Sequence, residues 1–91
     1  MRKILKYTIP FDGKWHIIDM PAAPIISVGN QEDSLVFWLK VSDQSFNSKR
    51  EFRIYATGEE IKDDDAMYIG TTYFDTCAFK PLVLHLFEKL K

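Results

Sequence analysis

The stretch Ser34-Leu35-Val36-Phe37-Trp38-Leu39-Lys40-Val41-Ser42 decides the fold. Leu35, Phe37, Leu39 and Val41 fall on one face of an extended chain. Val36, Trp38, Lys40 and Ser42 fall on the other. The segment is rich in branched and aromatic residues and holds no Gly or Pro, so it reads as a strand, not a helix.

Working outward, a polar loop over residues 43–48 leads to a second such segment at 49–57. Phe52, Ile54 and Ala56 share one face there, and Glu51, Arg53, Tyr55 and Thr57 share the other. Gly58 ends it. On the N-terminal side, residues 25–29 form a strand closed by a polar turn at 30–33. Residues 3–10 and 14–20 form the first two strands, with Asp12-Gly13 between them. An Asp-Gly pair between two such runs predicts a two-residue hairpin, because both central residues need positive φ. Pro21-Ala22-Ala23-Pro24 is a connection, since proline donates no ladder hydrogen bond. Asp63-Asp64-Asp65 is an acidic turn. Residues 67–74 are a sixth strand, with Gly70 as a bulge or a point of close packing. Leu82, Val83, Leu86, Phe87 and Leu90 fit one helical face, but the run 82–87 also fits a strand buried on both sides. A strand through Phe87 is favoured over the helix. Seven short strands in 91 residues predict one all-β domain spanning 1–91, a compact antiparallel sandwich or barrel.

Apolar residues make up 46% and charged residues 27%, which is globular composition. The net charge of −1 and the pI near 6.1 speak against nucleic acid as a general partner, but leave a local basic patch open. The single cysteine, Cys77, excludes an internal disulfide and a cysteine zinc cluster. A buried structural thiol is expected there. Residues 1–10 lack the apolar run of a signal peptide, and no run reaches membrane-spanning length. A soluble intracellular protein with no membrane partner is therefore expected.

The order of several motifs resembles a family of small, uncharacterised bacteriophage-encoded all-β domains. The matching residues are Ile4-Leu5-Lys6-Tyr7, Asp19-Met20-Pro21-Ala22, Ile26-Ser27-Val28 and the Leu35 to Trp38 strand. They continue with Lys49-Arg50-Glu51-Phe52-Arg53-Ile54-Tyr55-Ala56-Thr57-Gly58, Tyr68-Ile69-Gly70-Thr71 and His85-Leu86-Phe87-Glu88. The resemblance implies a phage origin, hence the host bacterial cytoplasm, and a strand at 85–88. It brings no activity. The chain departs from the family pattern at Gln44-Ser45-Phe46-Asn47, where a proline-containing acidic loop is usual.

If strands four and five pair, Trp38, Lys40, Arg53 and Tyr55 share an outer surface. Two cations beside two rings suit a nucleotide, with rings stacking on the base and cations meeting phosphate. A packed face or a subunit interface accounts for the same residues. His85 lies between Leu84 and Leu86 and faces with Val83 and Phe87. It is expected to be packed and hydrogen-bonded, with phosphate or ribose contact as the sharper alternative. His16 and His85 have no converging carboxylates, so no metal site is expected. Asp63-Asp64-Asp65 lacks the spacing of a calcium loop. No nucleophile elbow, phosphate loop or paired catalytic carboxylates are present, and no catalytic residue or cofactor is expected.

Several strands carry apolar residues on both faces, more than one copy of 91 residues is expected to bury. A homo-oligomer, most simply a two-fold dimer that depends on Trp38, is expected. Three readings follow. The first is a non-catalytic phage accessory protein that sequesters a nucleotide-derived host defence signal. The second is an interaction module that inhibits a host protein or serves as a small virion component. The third, with least support, is a small hydrolase using His85 or His16.

Overall fold

The computed structural model describes residues 1–32, 34–74 and 82–89. Seven strands follow in chain order: β1 (Arg2–Ile9), β2 (His16–Pro21), β3 (Ile25–Gln31), β4 (Ser34–Ser42), β5 (Asn47–Ala56), β6 (Ala66–Phe74) and β7 (Leu82–Lys89). All pairings are antiparallel. One sheet runs β1-β4-β3 and the other β2-β5-β7-β6. The Cα envelope measures 45 × 28 × 16 Å. Its short axis fits two sheets stacked about 10 Å apart, as in a sandwich. The expected all-β architecture is therefore what the chain forms. Cys77 lies outside the described residues.

The alternation in β4 works as read. Leu35, Phe37, Leu39 and Val41 all point inward and are buried. Phe52 and Ile54 of β5 and Leu84 and Leu86 of β7 meet them from the opposite sheet. The Phe37 and Phe52 ring centroids lie 4.8 Å apart, which joins the two layers at their centre. Two contacts close one margin. The Asn30 side-chain amide donates to Thr72 Oγ1 at 3.0 Å and to the Tyr73 carbonyl. At Gly70 a Cβ would stand 2.7 Å from Val28 Cγ2, so only glycine lets β6 approach β3 there. Gly70 also follows a register shift, so it serves both as close-packing point and as part of a bulge.

At the other end of the interior, Arg50 forms a fork with Glu88 at 2.7 and 2.8 Å. Its Nη1 also donates to the carbonyls of Pro21 and Ala23. This arginine ties the proline-bounded connection after β2 to strand β7. The pair is mostly shielded from water, where a two-pronged charged hydrogen bond is strongest.

Two expectations fail. Asp12-Gly13 does not make a hairpin, because β1 pairs with β4 and β2 with β5, in different sheets. Gly13 does adopt positive φ, at 74°, and Asp12 Oδ1 accepts from the Lys14 N–H. Asp12 does not adopt positive φ, so the expected two-residue turn does not form; residues 10–15 bend there and cross between layers. The His16 ring beside Asp12 holds that carboxyl below its usual value. Likewise β4 and β5 do not pair: residues 43–46 carry the chain from one sheet to the other. The ambiguous C-terminal run forms a strand. It is central in its sheet, so Leu84 and Leu86 face the core while Val83, His85 and Phe87 lie half-buried on the outer side.

The supposed apolar surplus is also smaller than the sequence indicates. Leu5, Tyr7 and Ile9 all turn inward. Val36, on the outer face, is only 2% exposed within one copy.

Candidate functional site

The outer face of the four-stranded sheet is where polar and aromatic side chains converge. Tyr55 points away from the core yet is only 2% exposed. Trp15, Phe87 and Tyr68 surround it in a chain of rings. Trp15–Tyr55 centroids are 6.4 Å apart, Tyr55–Phe87 5.2 Å and Tyr68–Phe87 5.7 Å, all edge-on. Burial pushes the Tyr55 phenol above its usual titration range.

The segment 57–65 between β5 and β6 borders this cluster and is pinned at two points. Gly58 makes the reversal with φ 92°. Glu59 then accepts from the Ala56 N–H at 3.1 Å and from Arg53 Nη2 at 2.7 Å. Further along, the Trp15 indole N–H donates to Asp63 at 2.9 Å. The acidic run at 63–65 therefore anchors this segment through its first residue. Arg53 lies 4.3 Å from the Tyr55 ring centre, a cation–π distance. Its buried Nε has no acceptor among the described residues.

Beside these rings runs a groove of about 280 Å3, lined among others by Tyr55, Thr57, Ile61, Tyr68, His85 and Phe87. An adjoining depression of about 330 Å3 is lined by Arg53, Tyr55, Glu59, Glu60 and Lys62. His85 is held from both sides. Its Nε2 lies 2.8 Å from Thr57 Oγ1, and its Nδ1 lies 2.8 Å from Thr71 Oγ1. The Tyr68 hydroxyl reaches the same Thr71 oxygen at 2.5 Å. Hydroxyls both donate and accept, so a neutral imidazole is satisfied at both nitrogens. That arrangement fixes the ring as a polar contact in a mostly aromatic groove.

Of the five residues singled out from sequence, Arg53, Tyr55 and His85 come together here. Trp38 and Lys40 do not: they lie in the other sheet, because β4 pairs with β1 and β3. Trp38 instead packs over Gly29, half-buried by its own chain. Sequence reasoning missed Trp15, Thr57, Glu59, Tyr68 and Thr71. A strict count along β6 puts Tyr68 and Thr71 on opposite faces. The bulge at Ile69 puts both on the outer face, opposite Phe87 and His85. Among the described residues, no group of three or more His, Cys, Asp or Glu is placed to hold a metal. No described helix is long and apolar enough to cross a membrane.

These features define a two-sheet antiparallel sandwich that presents a groove walled by aromatic rings on its larger sheet. The chain belongs to the family described as Domain of unknown function (DUF7352), whose model matches residues 1–91. No curated protein and no solved structure matches it.

Proposed function

We propose that this domain is a non-catalytic binding module that takes up a small nucleotide-type ligand in the groove beside Tyr55, Tyr68 and Phe87. One observation carries the reading: three ring walls, a doubly hydrogen-bonded His85 and the Arg53–Lys62 end converge on adjoining hollows. Rings and hydroxyls suit a base and sugar, by stacking and by hydrogen bonding. Lys62 has no carboxylate within ion-pair reach among the described residues, so it is the cation of the lining that remains for an anionic group.

The resemblance to phage-encoded domains extends this reading to an accessory protein in the host bacterial cytoplasm that sequesters a nucleotide-derived defence signal. Stoichiometric burial needs no general acid or base. A second copy supports such burial. Ile17, Tyr68 and Tyr73 are 63%, 55% and 65% exposed on this same outer face. Pairing two such faces closes the groove and makes the oligomer the trapping form.

The test is thermal melting with cyclic and linear nucleotides, followed by recovery of the ligand from denatured protein. At 100 times its Kd a bound ligand stabilises by about 2.7 kcal/mol, a rise of several degrees or more in so short a chain. Recovery of intact ligand, and loss of the shift in His85→Ala, support sequestration. No shift with any nucleotide overturns the reading. Conversion of the ligand overturns the non-catalytic part of it.

A further inference from the structure

The outer face of the three-stranded sheet has a different chemistry. Strands β1, β3 and β4 contain four cations, Arg2, Lys3, Lys6 and Lys40, and no Asp or Glu. Alternation sends Arg2, Lys6 and Lys40 outward, and all three are exposed. In register, Lys6 stands directly beside Trp38, Ile4 beside Lys40, and Arg2 beside Ser42. These rows lie about 7 Å apart along the strands. Lys6 Nζ donates to Gln31 at 2.7 Å. Among the described residues no carboxylate lies within ion-pair distance of any of these cations. Arg2 and Lys40 flank a depression of about 280 Å3.

The contrast with the opposite sheet is sharp. There Lys49, Arg50 and Arg53 each meet a carboxylate. Five acids, Glu59, Glu60, Asp63, Asp64 and Asp65, crowd into the segment beside that sheet. The strands of the three-stranded sheet thus carry cations without acids of their own, while Glu32 and Asp43 stand at its turns; a local positive field of that kind attracts an anion.

We infer that the outer face of β1, β4 and β3 binds single-stranded nucleic acid, with Trp38 as a stacking platform and Lys6, Lys40 and Arg2 contacting successive phosphates. A sheet face with an aromatic ring among cations that have no ion-pair partner among the described residues has the two elements such binding needs, a ring for a base and a charged track for the backbone. Trp38 is accommodated because Gly29 has no side chain: a Cβ there would sit 3.1 Å from its ring. A second copy fits this face poorly, since a two-fold contact sets its cations against themselves. The face is separate from the groove of the other sheet, so the two readings stand or fall independently.

The experiment is fluorescence polarisation of a labelled single-stranded oligonucleotide of about a dozen nucleotides, titrated at several salt concentrations. Three neutralised phosphates give a slope of log K against log salt of about −2, and Lys40→Gln lowers it to about −1.4. Lys6→Gln with Lys40→Gln weakens binding further, and both variants retain the parent melting temperature. Trp38→Ala weakens binding by on the order of tenfold or more. Should that variant fail to fold, the lysine variants decide alone. Absence of binding at low salt overturns the inference. So does binding unchanged in the double lysine variant, or a duplex of the same sequence binding as tightly. Sedimentation as a Trp38-dependent dimer that excludes the oligonucleotide overturns it too, in favour of a second copy as occupant.

Discussion

Both sheets follow the same in–out alternation, yet their outer faces end in opposite states. On the four-stranded sheet the 57–65 segment, Trp15 and the rings of Phe87 and Tyr68 shelter Tyr55 and a half-buried Arg53. On the three-stranded sheet no described residue covers Ile4, 60% exposed, or the three outward cations. A strand's outward residues are not determined by pattern alone. A nine-residue connection pinned by Glu59 and Asp63 turns one face into a second, smaller packing layer. The other face, flanked by short connections, keeps its charges in water.

The largest effect tests what the two faces share. Phe37→Ala removes a ring at the centre of the common core and should cost about 3–5 kcal/mol in chemical denaturation. That is a large part of the total stability of so small a domain. A loss below about 1 kcal/mol would mean that the sheets are stabilised separately rather than through one interior.

A smaller change separates the faces. Asp63→Ala removes the acceptor of the Trp15 indole N–H and should cost about 1 kcal/mol. Amide exchange should accelerate in residues 57–65 and stay unchanged in β1, β3 and β4. Uniform acceleration across both sheets would break the distinction.

The smallest effect is a pH dependence. Burial raises the Tyr55 phenol above its ordinary value of 10.0. The folded state therefore holds this proton more tightly than the unfolded chain. The linked stability is complete below pH 10.0 and is lost as pH rises through the higher folded value. Denaturation at about pH 9 and about pH 11 should show a steeper loss in the parent than in Tyr55→Phe. Equal slopes would place Tyr55 in contact with water and remove the shelter.

Much of this was legible in the residues. Alternation and turn residues located six strands and assigned Phe37 and Phe52 inward and Arg53 and Tyr55 outward, while the run 82–87 was favoured as a strand with neither side singled out as the core face. The break at Gly70 was visible too. The partner of each strand was not, and the candidate site suffered for it. Placing Trp38 and Lys40 beside Arg53 assumed that strands close in sequence pair. A turn of residues 43–46 serves a sheet-to-sheet crossing as readily as a hairpin. The Asp-Gly pair misled in the same way. Only Gly13 takes positive φ, not Asp12, and a bend of that kind is compatible with more than one destination for the next strand. Tyr68 and Thr71 were lost to a one-residue bulge whose position depends on what lies opposite.

By itself, then, the order of residues determined which segments of β1 to β6 extend and, along the unbroken strands β4 and β5, which side is apolar, because side chains alternate along a regular strand. It also determined that β1, β3 and β4 carry no acid. Only the tertiary structure decided which strands are neighbours, which outer face is sheltered and which remains bare. Those outcomes depend on contacts between distant residues, such as Trp15 with Asp63 and Asn30 with Thr72. Such contacts acquire their energy when the whole sandwich closes.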